Sequence, residues 1–182
     1  MNAWVKSRRR AASNGERGSV LVEFGLVVPI FVTLVIGAAT LGLSYNANNS
    51  LNNAARESAR YGATLAVEGD MSAWLSQVAD AAVLAAGGEL GNEVPSRQIC
   101  VAYVHPAGTA TTDQTVAMVR SGAGDTLATG KTCFGDGRPD NERRVQVAVS
   151  RESTIQAVVY GSIFEVEAKS VVVYERAGDA AS

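Results

Sequence analysis

The chain has 182 residues, of which 47% are hydrophobic, only 6% aromatic and 19% charged, and its net charge at pH 7 is -2. That length fits one globular domain rather than two. Residues 1–18 hold Lys6, Arg8, Arg9, Arg10 and Arg17 against Glu16, so the start is net +4 and the remainder -6. A short basic leader is a poor nucleic-acid surface, and no nucleic-acid partner is expected.

After this leader, Gly18-Ser19-Val20-Leu21-Val22-Glu23 opens into twenty residues, Phe24 to Leu43, without a charge. At ~1.5 Å of rise per residue they cover ~30 Å, the hydrocarbon thickness of a bilayer. Residues 19–43 are therefore expected to cross membrane lipid as a helix. The positive-inside rule keeps leader 1–18 cytoplasmic and places the acidic C-terminal part outside a cytoplasmic membrane. Glu23 is the anomaly, because a charge inside a span costs roughly 2.5 to 3.5 kcal/mol at mid-depth, less near the edge. It needs an exit or a partner.

A cut after Gly18 would supply that partner. Ser19 would become a cationic amine one helical turn from Glu23, on the same face. In an assembly Glu23 could equally reach the new amine of a neighbour, so that one carboxylate sets the axial register between helices. Two other readings compete. A secretory signal peptide, with Gly37-Ala38-Ala39 as its small-residue site, would release a soluble protein, but the apolar run exceeds the usual ~7 to 15 residues and contains Glu23. An uncleaved anchor explains the span and the arginines and leaves the Gly18 to Glu23 spacing to chance.

Within the span, Pro29 removes a backbone donor, while Thr33, Gly37 and Gly42 offer hydroxyls and small surfaces without a small-xxx-small repeat. Beyond it, residues 44–68 are expected to continue as an extracytoplasmic helix. Ala47, Leu51, Ala54, Ala55, Ser58 and Gly62 recur at three- or four-residue intervals and make a narrow small-residue stripe suited to close packing. Ser19 to Leu65 is then one helix, roughly 70 Å long.

The Gly18 to Glu23 spacing resembles the processing site of type IV prepilins. Together with Val22-Glu23-Phe24, Val28-Pro29 and Asn53-Ala54-Ala55-Arg56-Glu57-Ser58-Ala59-Arg60-Tyr61-Gly62, it resembles the TadE-like family, the minor pilins or pseudopilins of tight-adherence (Flp, type IVb) pilus systems. That resemblance implies a prepilin peptidase that cuts between Gly18 and Ser19, an assembly role for Glu23, and partners among other pilins and the pilus assembly machinery. It implies no cofactor.

Residues 69–182 are expected to form a globular α+β domain: Asp70 caps a helix through Ala86 that Gly87-Gly88 ends, and Pro95 favours an extended exit. Ile99, Val101 and Tyr103 alternate as a strand, Val116 and Met118 suggest a shorter one, and Val145, Val147 and Val149 repeat the pattern. Ser153 to Tyr160 reads as a short helix before a final strand, Glu165 to Tyr174. The result is a long helix, a small antiparallel sheet and short helices.

Cys100 and Cys133 are the only cysteines. Both fall in the part assigned outside the cytoplasm, where one disulfide would stabilise their glycine-rich loop by about 3 to 4 kcal/mol. Two free thiols are the alternative. His105 beside Pro106 reads as a loop residue, Gly122-Ala123-Gly124-Asp125 as turn chemistry, and Asp136, Asp140 and Asn141 as a turn with a weak resemblance to calcium ligands. The chain reads as the substrate of a peptidase and not as an enzyme. An uncleaved membrane-tethered binding protein and an exported enzyme are the readings of other classes.

Overall fold

The computed structural model describes residues 13–67, 70–94, 96–105, 115–138, 142–157 and 160–175. Lys6, Arg8, Arg9 and Arg10 of the leader, Pro95, Pro106, Asp140 and Asn141 lie outside the described residues. Two helices and five strands follow in order: α1 Ser13–Thr64, α2 Met71–Ala85, β1 Gln98–Val104, β2 Val116–Ser121, β3 Gly124–Thr129, β4 Arg144–Ala157 and β5 Tyr160–Val173. The class is α+β. Helix α1 begins inside one compact unit, up to Gly42, and continues into a second that holds Leu43–Ile155 and the strand from Ser162 onward.

In the second unit the small-residue stripe is the packed face of α1. Ala47, Leu51, Ala54, Ala55, Ser58 and Gly62 are all buried. Ser58 is a polar group in that face, and its hydroxyl is satisfied by donating to Ala54 O at 2.6 Å. Helix α2 starts where its cap dictates: Asp70 accepts from Ser72 N at 2.9 Å and from Ser72 Oγ at 2.6 Å. It ends at Gly87, whose φ of 58° suits a residue without a side chain. Trp74 Nε1 donates to Leu65 O at 3.3 Å, and Ser50 Oγ donates to Ala86 O at 2.7 Å. The two contacts make α2 run back along α1.

The antiparallel sheet has the order β3-β2-β1-β4-β5. Its register places Val101 between Met118 and Val147, and Tyr103 between Val116 and Val145. Ile99, Val101, Tyr103, Val145, Val147 and Val149 therefore share the face turned into the main core with α1 and α2. Ring contacts close that core, Tyr103 lying edge-on to both Trp74 (5.7 Å) and Tyr174 (5.4 Å). Arg120 on β2 ties the sheet to α2 by ion-pairing with Asp80 and Asp125 and donating to Ser76 Oγ at 2.8 Å.

Three expectations are corrected. Among the described residues of Ser153 to Tyr160 the expected helix is replaced by strand: β4 runs to Ala157 and β5 begins at Tyr160. The turn expected over Gly122-Ala123-Gly124-Asp125 is found at Gly122-Ala123 alone, as the two-residue turn of a hairpin, and Gly124 onward is a strand, β3, paired to β2 from Ser121↔Gly124 to Val116↔Thr129. The helix expected over 44–68 ends at Thr64.

Gly62 is the tightest point of this packing. A Cβ there would meet Val78 Cγ2 at 3.0 Å, Val145 Cγ1 at 3.2 Å and Trp74 Cζ2 at 3.3 Å. Gly62→Leu is expected to destabilise the domain by about 1–3 kcal/mol through overpacking, despite leucine's better helix propensity, and thermal unfolding of the lipid-embedded protein checks it.

Candidate functional site

Helix α1 starts at Ser13, so the bond between Gly18 and Ser19 lies within it, and Gly18, Ser19 and Glu23 are all exposed. Ser19 and Glu23 stand one turn apart on one face. In the uncut chain the Ser19 nitrogen is an uncharged peptide group; the pairing of an amine with Glu23 exists only after a cut.

Around and beyond Glu23 the helix is apolar on every side. Leu21 is 72% exposed, Phe24 67% and Leu34 67%, and the most apolar window of α1 buries nothing within the protein. At ~25 cal/mol per Å2, leaving so much contiguous apolar surface in water is strongly unfavourable, and the segment calls for an apolar surrounding. Two of its hydroxyls are settled internally. Thr33 Oγ1 donates to Pro29 O at 2.7 Å and Thr40 Oγ1 to Ile36 O at 2.8 Å, so both hydroxyls can sit in hydrocarbon. Length and composition are those of a single-pass membrane anchor.

Comparison with known families matches residues 18–60 to the family described as TadE-like protein. Over residues 18–60 the chain is similar to that family. No curated protein and no solved structure matches the chain. The TadE-like segment opens on Gly18, contains Glu23 and the whole apolar run, and closes at Arg60 in the packed half of α1. The family is a pilin-like structural one, associated with the tight-adherence pilus.

Outside that segment, Cys100 on β1 is joined to Cys133 by a disulfide, with the Cα atoms 5.7 Å apart. The bond lies on the sheet face opposite the main core, beside a small cluster of Ala102, Val104 and Ala117. Next to it is a polar network that sequence reading missed. Arg144 Nε donates to Asp136 Oδ2 at 2.6 Å, and Gln146 Nε2 donates to the same oxygen at 2.8 Å and to Phe134 O at 3.1 Å. Gln146 Oε1 in turn accepts from Cys133 N at 3.1 Å. The Arg144 and Asp136 side chains are only 5% and 6% exposed.

Asp136 is thus the buried counter-ion of Arg144, which accounts for it without a calcium ion. Among the described residues no group of three or more His, Cys, Asp or Glu is placed to hold a metal. His105 is buried at the end of β1, its N–H donating to Thr115 Oγ1 at 3.1 Å and its ring 6.1 Å from that of Tyr103. It lies outside the strand, as expected of a loop residue, but it is packed rather than exposed. Gln146 escaped notice because a polar residue alternating with Val145 and Val147 reads as solvent-facing.

Burial alone would raise the Asp136 carboxyl. The hydrogen bonds from Gln146, the Arg138 N–H and Arg144, with the charge of Arg144, outweigh it and hold the group below its ordinary 3.8. These bonds stabilise the fold at pH values above 3.8 and are lost as the pH falls through the lowered value. Asp136→Asn is expected to cost about 1–3 kcal/mol at pH 7, because it replaces the charged acceptor that Arg144 and Gln146 share. Melting temperatures of the two proteins should converge as the pH falls from about 4 through the lowered value, where the folded wild type gives up the same charge.

Proposed function

We propose that this chain is a minor pilin-like subunit of a tight-adherence, type IVb pilus system, cut after Gly18 by a prepilin peptidase. The observation that carries the reading is the TadE-like match beginning at Gly18, with an acid at Glu23 in an otherwise uncharged run. The basic leader stays cytoplasmic, the apolar half of α1 stores the protein in membrane lipid, and the domain beyond Leu43 faces outward. Cutting converts Ser19 into an amine that pairs with Glu23, on its own helix or a neighbour's, and so fixes axial register against other pilins and the assembly machinery. Its work is positional, and no catalytic group is required of it.

N-terminal mass spectrometry of native protein, from cells with and without their prepilin peptidase, tests this. The expected mature start is Ser19, dependent on the peptidase and abolished in Gly18→Ala. Glu23→Ala is expected to be cut still, with recovery in the pilus fraction reduced by tenfold or more. A start at Met1 would turn the reading towards an uncleaved tethered protein, and one near Thr40 towards secretion.

A further inference from the structure

A groove of about 530 Å3 runs along the outward half of α1, lined by Asn53, Arg56, Glu57 and Arg60 of that helix, by Ala85 at the end of α2 and by Ser170 and Val172 of β5. The four helix residues recur at intervals of three, one and three, which places them on one face. The side chains of Arg56, Glu57 and Arg60 are exposed and make no hydrogen bond or ion pair with the described residues. That sets them apart from Arg120, Arg144 and Arg151, each of which holds a carboxylate. Two guanidinium groups one turn apart, neither held by a carboxylate among the described residues, present two planar forks, each matched to a carboxylate.

The occupant follows from charge and height. At helical rise the groove lies roughly 15 to 25 Å beyond Leu43, above the headgroup layer, so lipid phosphate does not reach it. This exclusion rests on the membrane boundary proposed above. A second copy alongside at the same level does not fit either. Copies inserted the same way round would set Arg56 against Arg56 and Glu57 against Glu57, like charge on like charge. We propose that the groove docks a segment of a partner protein that carries two carboxylates one helical turn apart, one on Arg56 and one on Arg60, with its stem on Val172. Glu57, between them, rejects a third acid and sets the register.

The test uses the full chain in phosphatidylcholine nanodiscs, titrated with a fluorescein-labelled alanine-based helical peptide bearing two glutamates four residues apart, and read by anisotropy. Saturable binding is expected, weakened at least tenfold by the pair Arg56→Gln and Arg60→Gln, by glutamine in place of the peptide's glutamates, and by raising salt. Glu57→Gln should tighten binding two- to fivefold, a gain that misfolding cannot produce. Absence of saturable binding, or binding indifferent to the arginine pair, overturns the proposal. Because the assay needs no cut at Ser19, failure of the processing reading and failure of this one are told apart.

Discussion

Everything in the second unit is arranged around a helix face that carries almost no side chains. From Ala47 to Gly62 the inward positions of α1 are mostly alanine, serine and glycine, and α2 and β4 come close enough that a single methyl at Gly62 would meet three side chains within 3.3 Å. Such closeness lets short elements bury a large share of their area, and it makes the site intolerant of added volume. One backbone oxygen reinforces it. Leu65 O, just past the end of α1, accepts from Trp74 Nε1 at 3.3 Å and Tyr174 Oη at 3.0 Å, joining α2 and the chain beyond β5 to the helix exit.

The same helix obeys a different rule before Gly42. Large apolar side chains surround it on all sides, because hydrocarbon asks only that polar groups be absent or satisfied and does not demand a jigsaw fit. Glu23 is the exception to that rule, and an exception that costs free energy points to function. The proposed amine at Ser19 would cancel the cost only after processing, which ties the chemistry of the site to the history of the chain.

The second face of the sheet is held by means other than bulk. Residues 131–138, with Gly135 and Gly137 among them, bring few large apolar groups to it. A disulfide and a buried network of Asp136, Arg144 and Gln146 hold them there instead. Removing one member of such a network strands another, so its stability is conditional on every member being present.

The sequence alone determined what is local. The length of the apolar run, the Gly18 to Glu23 spacing, the small-residue stripe, the Asp70 cap and the alternation of Ile99, Val101, Tyr103 and of Val145, Val147, Val149 are all relations between near neighbours in the chain. Periodicity reads them directly. Tertiary structure decided what depends on distant partners. Ser153 to Tyr160 has helix-like spacing of its apolar residues, yet pairing extends β4 and opens β5, because a ladder of neighbouring strands outweighs weak local preference. Strand β3, Gly124–Thr129, is exposed along nearly its whole length and so carries no apolar alternation to read. Asp136 gained its meaning from Arg144 and Gln146, and the Arg56 and Arg60 face became a groove because Ala85 of α2 and β5, more than a hundred residues along the chain, supply the other walls.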